Sequence, residues 1–338
     1  IAEQQTGWDT SKSQEKESTA PNPAKLLPLQ SNLTPAFAAA STRSLLSLLP
    51  AALPATSPRA GYRAALNLSM DVLPVNPVMA YKYKAELLAK DYLLDVPYAA
   101  VLAGILMCKL AYDFTRFISS FHYKSYASLT KMKKVEWNNR GMSTVHAIFI
   151  TVMSVYFVFF SGLFSDQLDG PITSRSSSLS SFALGVSIGY FITDIAMIYW
   201  FYPSLGGMEY VIHHILALMS TVYAMVSGEA HLYIYMGLIT ETTTPGINLR
   251  WFLDAAGMKN SKAYLVNGAA MVVTWLVARI IMFMYLFYHM FVHYDQIKQM
   301  DTFGYFLILV APAIIFVMNL IWFSKILRGL KKTMTKRH

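Results

Sequence analysis

From residue 92 onward the chain alternates between long apolar runs and short polar loops. The runs are approximately Tyr92–Phe121, Thr144–Phe164, Ser181–Tyr202, Met208–Ser227, His231–Leu253, Ala263–Val292 and Phe303–Ile326. Each approaches or exceeds the roughly 20 residues that a helix needs to cross a bilayer's hydrocarbon core. The pattern therefore predicts an all-α, polytopic integral membrane protein of about seven transmembrane helices. The fifth run is the weakest. It carries Glu241, then Thr242-Thr243-Thr244-Pro245-Gly246. Proline removes a backbone donor and glycine loosens the turn, so this helix should kink or break near Pro245. Irregular backbone at membrane depth survives only against protein or a wet cavity. A six-span arrangement with the fifth run re-entrant is the other reading.

Composition agrees with the pattern. Hydrophobic residues make up 55% of the 338 residues and charged ones 14%, where a soluble domain carries about 25% charge. The net charge of +9 comes with no nucleic-acid motif, and its distribution matches membrane topology. Lys124, Lys131, Lys133, Lys134 and Arg140 follow the first run, Lys259 and Lys262 the fifth. Lys325, Arg328, Lys331, Lys332, Lys336 and Arg337 form the tail. The alternate loops hold Arg175 and Lys298. An odd number of spans puts the three basic regions on one side, the cytosol by the positive-inside rule, and the N-terminus on the other. The single cysteine, Cys108, excludes an intrachain disulfide and reads as a small buried hydrophobe.

The domain reading is an N-terminal extension over 1–69, a region over 70–129 with the first span, a membrane domain over 130–330 and a basic cytosolic tail over 331–338. The extension is rich in Ser, Ala and Pro and has no acid between Ser18 and Met70, while Lys25, Arg43, Arg59 and Arg63 are present. It reads as disordered, or as sequence upstream of a start at Met70. A transit peptide to a plastid or other organelle is the alternative. Asn32 and Asn67 would accept glycans if they face the lumen.

Chemistry enters with the charges inside the apolar runs. Asp194, His213, His214, Glu241 and Arg279 lie within spans or at their ends. A charge in hydrocarbon costs several kcal/mol or more, so such groups face a bundle interior and mark function. At about 1.5 Å per helical residue, they and Asn319 fall at compatible depths, toward the cytosolic half. The structural alternative is that Asp194 pairs with Arg279 and simply holds two helices together, and Glu209, at i,i+4, could fix the tautomer of His213. His213 and His214, being adjacent, point about 100° apart on a helix. His146, His289 and His293 sit at segment ends and carry no assigned role. No metal site is expected, since convergence of three or four ligands is not signalled.

The ordered series Glu209-Tyr210-Val211-Ile212-His213-His214-Ile215, Gly228-x-x-His231 and Glu241-x-x-x-Pro245-x-x-Asn248-x-Arg250-Trp251 resembles the TLC (TRAM–LAG–CLN) domain. So does Val135-Glu136-Trp137-Asn138-Asn139-Arg140 leading to His146. The resemblance covers about residues 130–330 and is nearest to members that are not ceramide synthases. It implies a six-helix bundle around a lipid-facing cavity, here with one added N-terminal span, an endoplasmic reticulum address and a part in lipid homeostasis. In the ceramide synthase branch a His pair and downstream acids serve acyl transfer to a sphingoid base. This chain keeps His213-His214 but has Thr240-Glu241-Thr242 where that branch places its acids, and the second acid is missing.

Two functions follow. In the first, the protein binds, moves or senses an acyl lipid, with membrane lipids as its partners and no cofactor. Arg279 would hold a phosphate or carboxylate and Asp194 or Glu241 an amine, with Asn248, Arg250 and Asn319 completing the substrate-binding set. In the second it is an acyl-CoA-dependent N- or O-acyltransferase, with acyl-CoA as co-substrate and His213, His214, Asp194 and Glu241 as its catalytic groups. A transporter or seven-span receptor is a third class. The absence of an internal repeat counts against it.

Overall fold

The computed structural model describes residues 77–335 apart from residue 166, with side chains from residue 98 except those of 333 and 334. The expected extension over 1–69, its acceptors Asn32 and Asn67, and Lys336 and Arg337 of the tail lie outside the described residues. The chain divides into two compact units, Ser11–Lys90 and Asp91–His338 with Ile1–Thr10. The described part of the first is the opening of helix α1. The second holds the remaining helices.

In order these are α1 (Pro77–His122), the short α2 (Lys124–Ala127), α3 (Lys131–Val155), α4 (Ser178–Trp200), α5 (Met208–Ser227), α6 (His231–Leu238), α7 (Thr244–Ala255), α8 (Lys262–Trp275), α9 (Met282–Val292), the short α10 (Tyr294–Ile297) and α11 (Thr302–Thr335). A π-helical turn, Tyr156–Phe160, extends α3, and another, Leu276–Ile281, joins α8 to α9 into one rod. The described residues contain no strand.

Local chemistry sets several ends. The Thr130 hydroxyl caps α3 by accepting from the Lys133 amide. Ser177 and Ser180 form a reciprocal capping box at α4. Ser261 caps α8 by accepting from the Tyr264 amide, and Gly228 closes α5 at φ 77°, the left-handed cap that glycine adopts without strain.

Five helical rods are long and apolar enough to cross a membrane: Lys131–Phe160, Ser178–Trp200, Met208–Ser227, Lys262–Val292 and Thr302–Lys332. These correspond to five of the seven predicted segments, and they make the chain an integral membrane protein. The first predicted segment, Tyr92–Phe121, lies within the long helix α1, which carries an exposed Lys109–Asp113 ion pair. The fifth segment is not one helix. It passes from α6 through a 3-10 stretch, Ile239–Thr243, into α7, where Pro245 occupies the first turn and its missing amide costs nothing.

The main core takes side chains from α1, α3, α4, α6 and the α8–α9 rod, among them Cys108, Ile150, Leu184, Phe191, Tyr235 and Leu286. Outward faces are apolar too. Leu102, Leu106, Leu110, Phe114, Phe117 and Phe121 form an exposed stripe down α1, which suits hydrocarbon as surrounding solvent. Helices α1 and α4 meet at backbone distance. A Cβ on Gly104 would collide with the Val186 carbonyl, and one on Gly189 with that of Val101. Small residues at such a crossing give close van der Waals packing where no hydrophobic force drives helices together.

Candidate functional site

Between α3, α4, α5, α7 and the α8–α9 rod lies a cavity of about 100 Å³. Its wall is polar although the helices that form it are largely apolar. Helix α3 contributes Glu136, Asn139, Arg140 and Ser143, α4 contributes Tyr190 and Asp194, and α5 contributes Tyr210, His213 and His214. The 3-10 stretch adds Glu241, α7 adds Thr244 and Asn248, and the π turn adds Arg279. The ionisable groups are withdrawn from the outer surface, with Asp194 and Arg279 each 3% exposed and Glu241 7%.

Asp194 is spent on two neighbours. Its Oδ2 lies 2.8 Å from His214 Nδ1, and its Oδ1 accepts from Asn139 Nδ2 at 3.2 Å. The carboxylate thus stands against the imidazole at Nδ1, close but not aligned as a hydrogen bond, and Nε2 has no protein partner among the described residues. A ring held in this way is set up to accept or deliver a proton at Nε2. His213 points elsewhere, as adjacency on a helix requires. Its ring meets Trp322 edge-on at 5.7 Å between centroids, and its Nδ1 is buried without a hydrogen-bond partner.

Arg279 sits in the π turn, where the wider winding offsets the register of the rod. Its Nε donates to Thr243 Oγ1 at 2.9 Å and its Nη1 to Asn319 Oδ1 at 3.0 Å. The guanidinium also lies over the Trp275 ring, 4.4 Å from the centroid. Glu241 accepts from Thr244 Oγ1 at 2.8 Å. No ion pair joins Glu241 to Arg279, since neither takes part in a charged contact among the described residues.

Part of the cavity wall is a connected hydrogen-bond network. Arg140 donates from Nε and Nη2 to Glu136 Oε1 and from Nη1 to Asn248 Oδ1 at 3.1 Å. Lys133 reaches the second Glu136 oxygen at 2.9 Å. The Asn248 amide nitrogen lies within hydrogen-bond distance of the Arg140 carbonyl, Ser143 Oγ and Thr144 Oγ1. Asn248 therefore ties α7 to α3.

The structure brings together Asp194, His213, His214, Glu241, Arg279 and Asn248 around one cavity. It does not form the alternative Asp194–Arg279 pair, because Asp194 goes to His214 and the π turn gives Arg279 to Thr243 and Asn319. No Glu209–His213 pair forms among the described residues. Asn319 does not line the cavity but buttresses Arg279. Arg250 is turned away from it: its guanidinium stacks on Tyr264 at 3.8 Å and Nη1 donates to the Tyr264 carbonyl. His146, which the sequence left without a role, packs in the interior. It is fully buried, stacked on Tyr190 at 3.8 Å, with Nε2 3.2 Å from Ser187 Oγ. Glu136, Asn139, Arg140, Tyr190 and Tyr210 were not assigned from sequence. The first three lie in a stretch that reads as a topology signal, where charge is unremarkable. Among the described residues no group of three His, Cys, Asp or Glu is spaced to hold a metal ion.

Comparison with known proteins bears on the identity of this arrangement. The TLC domain family model matches residues 136–328, more than half of the chain. The chain belongs to the TLC domain family. Its relatives include TLC domain-containing protein 4-B of Xenopus laevis, 25% identical, with 66% of this chain and 83% of the relative covered. Human TLC domain-containing protein 4 is 27% identical over 62% of this chain and 80% of its own length. TLC domain-containing protein 4 C of Dictyostelium discoideum is 28% identical over 68% and 82%. These place the chain among TLC-domain proteins outside the ceramide synthases. The domain begins at Glu136, so the cavity and every residue in its wall belong to it, while α1 lies before it.

Proposed function

We propose that this protein holds the polar end of an acyl lipid in the cavity and so acts in membrane lipid homeostasis. One observation carries the reading: a chamber of about 100 Å³ walled by ionisable and hydroxyl side chains inside an apolar bundle. Pockets that enclose a whole drug-sized ligand run to several hundred Å³. A chamber this small suits a headgroup, with the acyl chains left along the helices. The proposal includes an endoplasmic reticulum location with a cytosolic C-terminus, a reading that the family and the charge distribution support. The test is lipid co-purification. The full chain, extracted in mild detergent and washed, should retain a defined lipid class by mass spectrometry, and retention of the bulk membrane mixture without enrichment would remove the reading.

The Asp194–His214 contact favours a second reading, acyl transfer from acyl-CoA. His214 Nε2 would take the proton of an acceptor amine or hydroxyl as that group attacks the thioester carbonyl. Collapse of the tetrahedral adduct would break the carbon–sulfur bond, and the same proton would pass to the departing thiolate. Membranes holding the full chain or its His214→Ala variant at matched expression would be given acyl-CoAs with sphingoid and glycerolipid acceptors. A product made only by the unaltered protein establishes transfer. No product from either leaves lipid holding as the function.

A further inference from the structure

The charges of the cavity can be paired off, and two remain. Glu136 is matched by Arg140 and Lys133 at 2.9 Å. Asp194 is matched by His214 at 2.8 Å. Glu241 and Arg279 are left, one carboxylate and one guanidinium on the same cavity, and neither has an ion partner. Neutral groups hold each in place: Thr244 for Glu241, Thr243 and Asn319 for Arg279. Glu241 Oε1 and Arg279 Nη2 have no protein partner, and neither is among the sealed-off polar atoms that lack one. Each therefore presents a free polar edge to the cavity.

Buried ions of opposite sign normally close on one another, because an unpaired charge in a low-dielectric interior is costly. Here the threonines and Asn319 keep them apart while the cavity stays close to electrically balanced. An arrangement of this kind complements a molecule that carries both signs. A purely anionic ligand would leave Glu241 unmatched and add repulsion, and a purely cationic one would do the same at Arg279.

We infer that the cavity selects a zwitterionic headgroup, an ammonium beside a phosphate or carboxylate. Glu241 receives the ammonium, and Arg279 receives the anion through charge-assisted hydrogen bonds. The inference rests on the lipid-headgroup reading of the cavity and specifies the class of headgroup. Asp194 is excluded from the ammonium role because both of its oxygens are already engaged.

The test is a binding panel on the purified full chain, read by native mass spectrometry. The probes are dihexanoyl phosphatidylethanolamine, dihexanoyl phosphatidic acid and sphingosine, with soluble phosphoethanolamine as competitor. The zwitterionic lipid should bind about tenfold or more tightly than either singly charged lipid. Arg279→Gln should reduce it to the level of sphingosine, and Glu241→Gln to the level of phosphatidic acid. Displacement by phosphoethanolamine at lipid-like concentrations assigns the zwitterion to a soluble source, and resistance assigns it to a lipid. Equal binding of phosphatidic acid and phosphatidylethanolamine overturns the inference while leaving lipid holding intact. Failure of every lipid to bind a monodisperse protein overturns both. The panel on the unaltered chain decides the matter even where a variant does not fold.

Discussion

His214 Nδ1 stands 2.8 Å from Asp194 Oδ2, and the opposite oxygen of that carboxylate is held by Asn139. Three helices, α3, α4 and α5, thus converge on one imidazole. Replacing Asp194 with Asn keeps the shape and removes the charge that sets the ring's tautomer. Under the acyl-transfer reading, product formation should fall by about 100-fold or more, with headgroup binding at Glu241 and Arg279 retained. Asn139→Ala should give a smaller loss in the same assay. A parallel loss of lipid binding in Asp194→Asn would show that the pair holds the bundle together and does not act on substrate.

Arg279 separates structure from binding through Asn319. In Asn319→Ala a buried guanidinium donor loses its acceptor, which costs about 1–3 kcal/mol and should lower the thermal midpoint in detergent. Asn319→Asp puts a carboxylate at the same place and should preserve the midpoint. It should also neutralise Arg279 and abolish preference for an anionic group. A variant that keeps both stability and that preference would remove Arg279 from the binding account.

Much of this site was legible in the sequence, and the reason is dielectric. An ionisable residue inside an apolar run has few places to go, so Asp194, His213, His214, Glu241 and Arg279 could be named and placed at similar depths. Their partners could not. Which neighbour Asp194 takes depends on helix rotation, and the chemistry of Arg279 depends on a π turn that no residue in Leu276–Ile281 announces. Glu136 and Arg140 stand in the stretch that resembles the TLC domain, but their place in the cavity wall was not legible, since charge beside a basic loop carries no burial penalty. The break before α7 was visible because proline and glycine mark it directly. His146 carries no signal in the sequence because a histidine at a segment end is ordinary, whereas its stacking on Tyr190 buries it.

The α1–α4 crossing predicts a steric result. Gly104 and Gly189 each face a carbonyl of the opposite helix without room for a methyl group. Gly189→Leu should force the helices apart and cost about 1–3 kcal/mol, seen as a lower midpoint and easier proteolysis. Gly162, which has nothing within 4 Å of a built Cβ, is the control, and Gly162→Ala should leave the midpoint unchanged. Equal tolerance at both positions would show that α1 is not packed at this distance.

Asn248 offers a contrast to Arg279, because its side chain is saturated by α3. Asn248→Ala removes the acceptor of Arg140 Nη1 and the amide that reaches the Ser143 and Thr144 hydroxyls, so stability should drop by about 1–3 kcal/mol. Selectivity between zwitterionic and singly charged lipids should be unchanged in the protein that remains folded. A change of selectivity at full stability would make Asn248 a ligand contact.

Orientation gives the last prediction. Lys259 and Lys262 stand at the α7–α8 connection, and the tail beyond α11 is basic, whereas the α3–α4 connection carries Arg175. Arg175 is turned onto its own loop, donating to the Ser165, Leu168 and Gly170 carbonyls, so it serves that loop's fold and is the single basic residue of the connection. The positive-inside rule then puts the α3–α4 loop in the lumen and the α7–α8 loop in the cytosol. A glycosylation acceptor introduced between Asp169 and Arg175 should gain a glycan that endoglycosidase removes, and one introduced beside Lys259 should not. The reverse pattern would invert the protein and move the part of the cavity wall formed by Glu136 and Arg140 toward the lumenal side. That outcome would also end the acyl-CoA reading, since its co-substrate would have to be supplied from the cytosol.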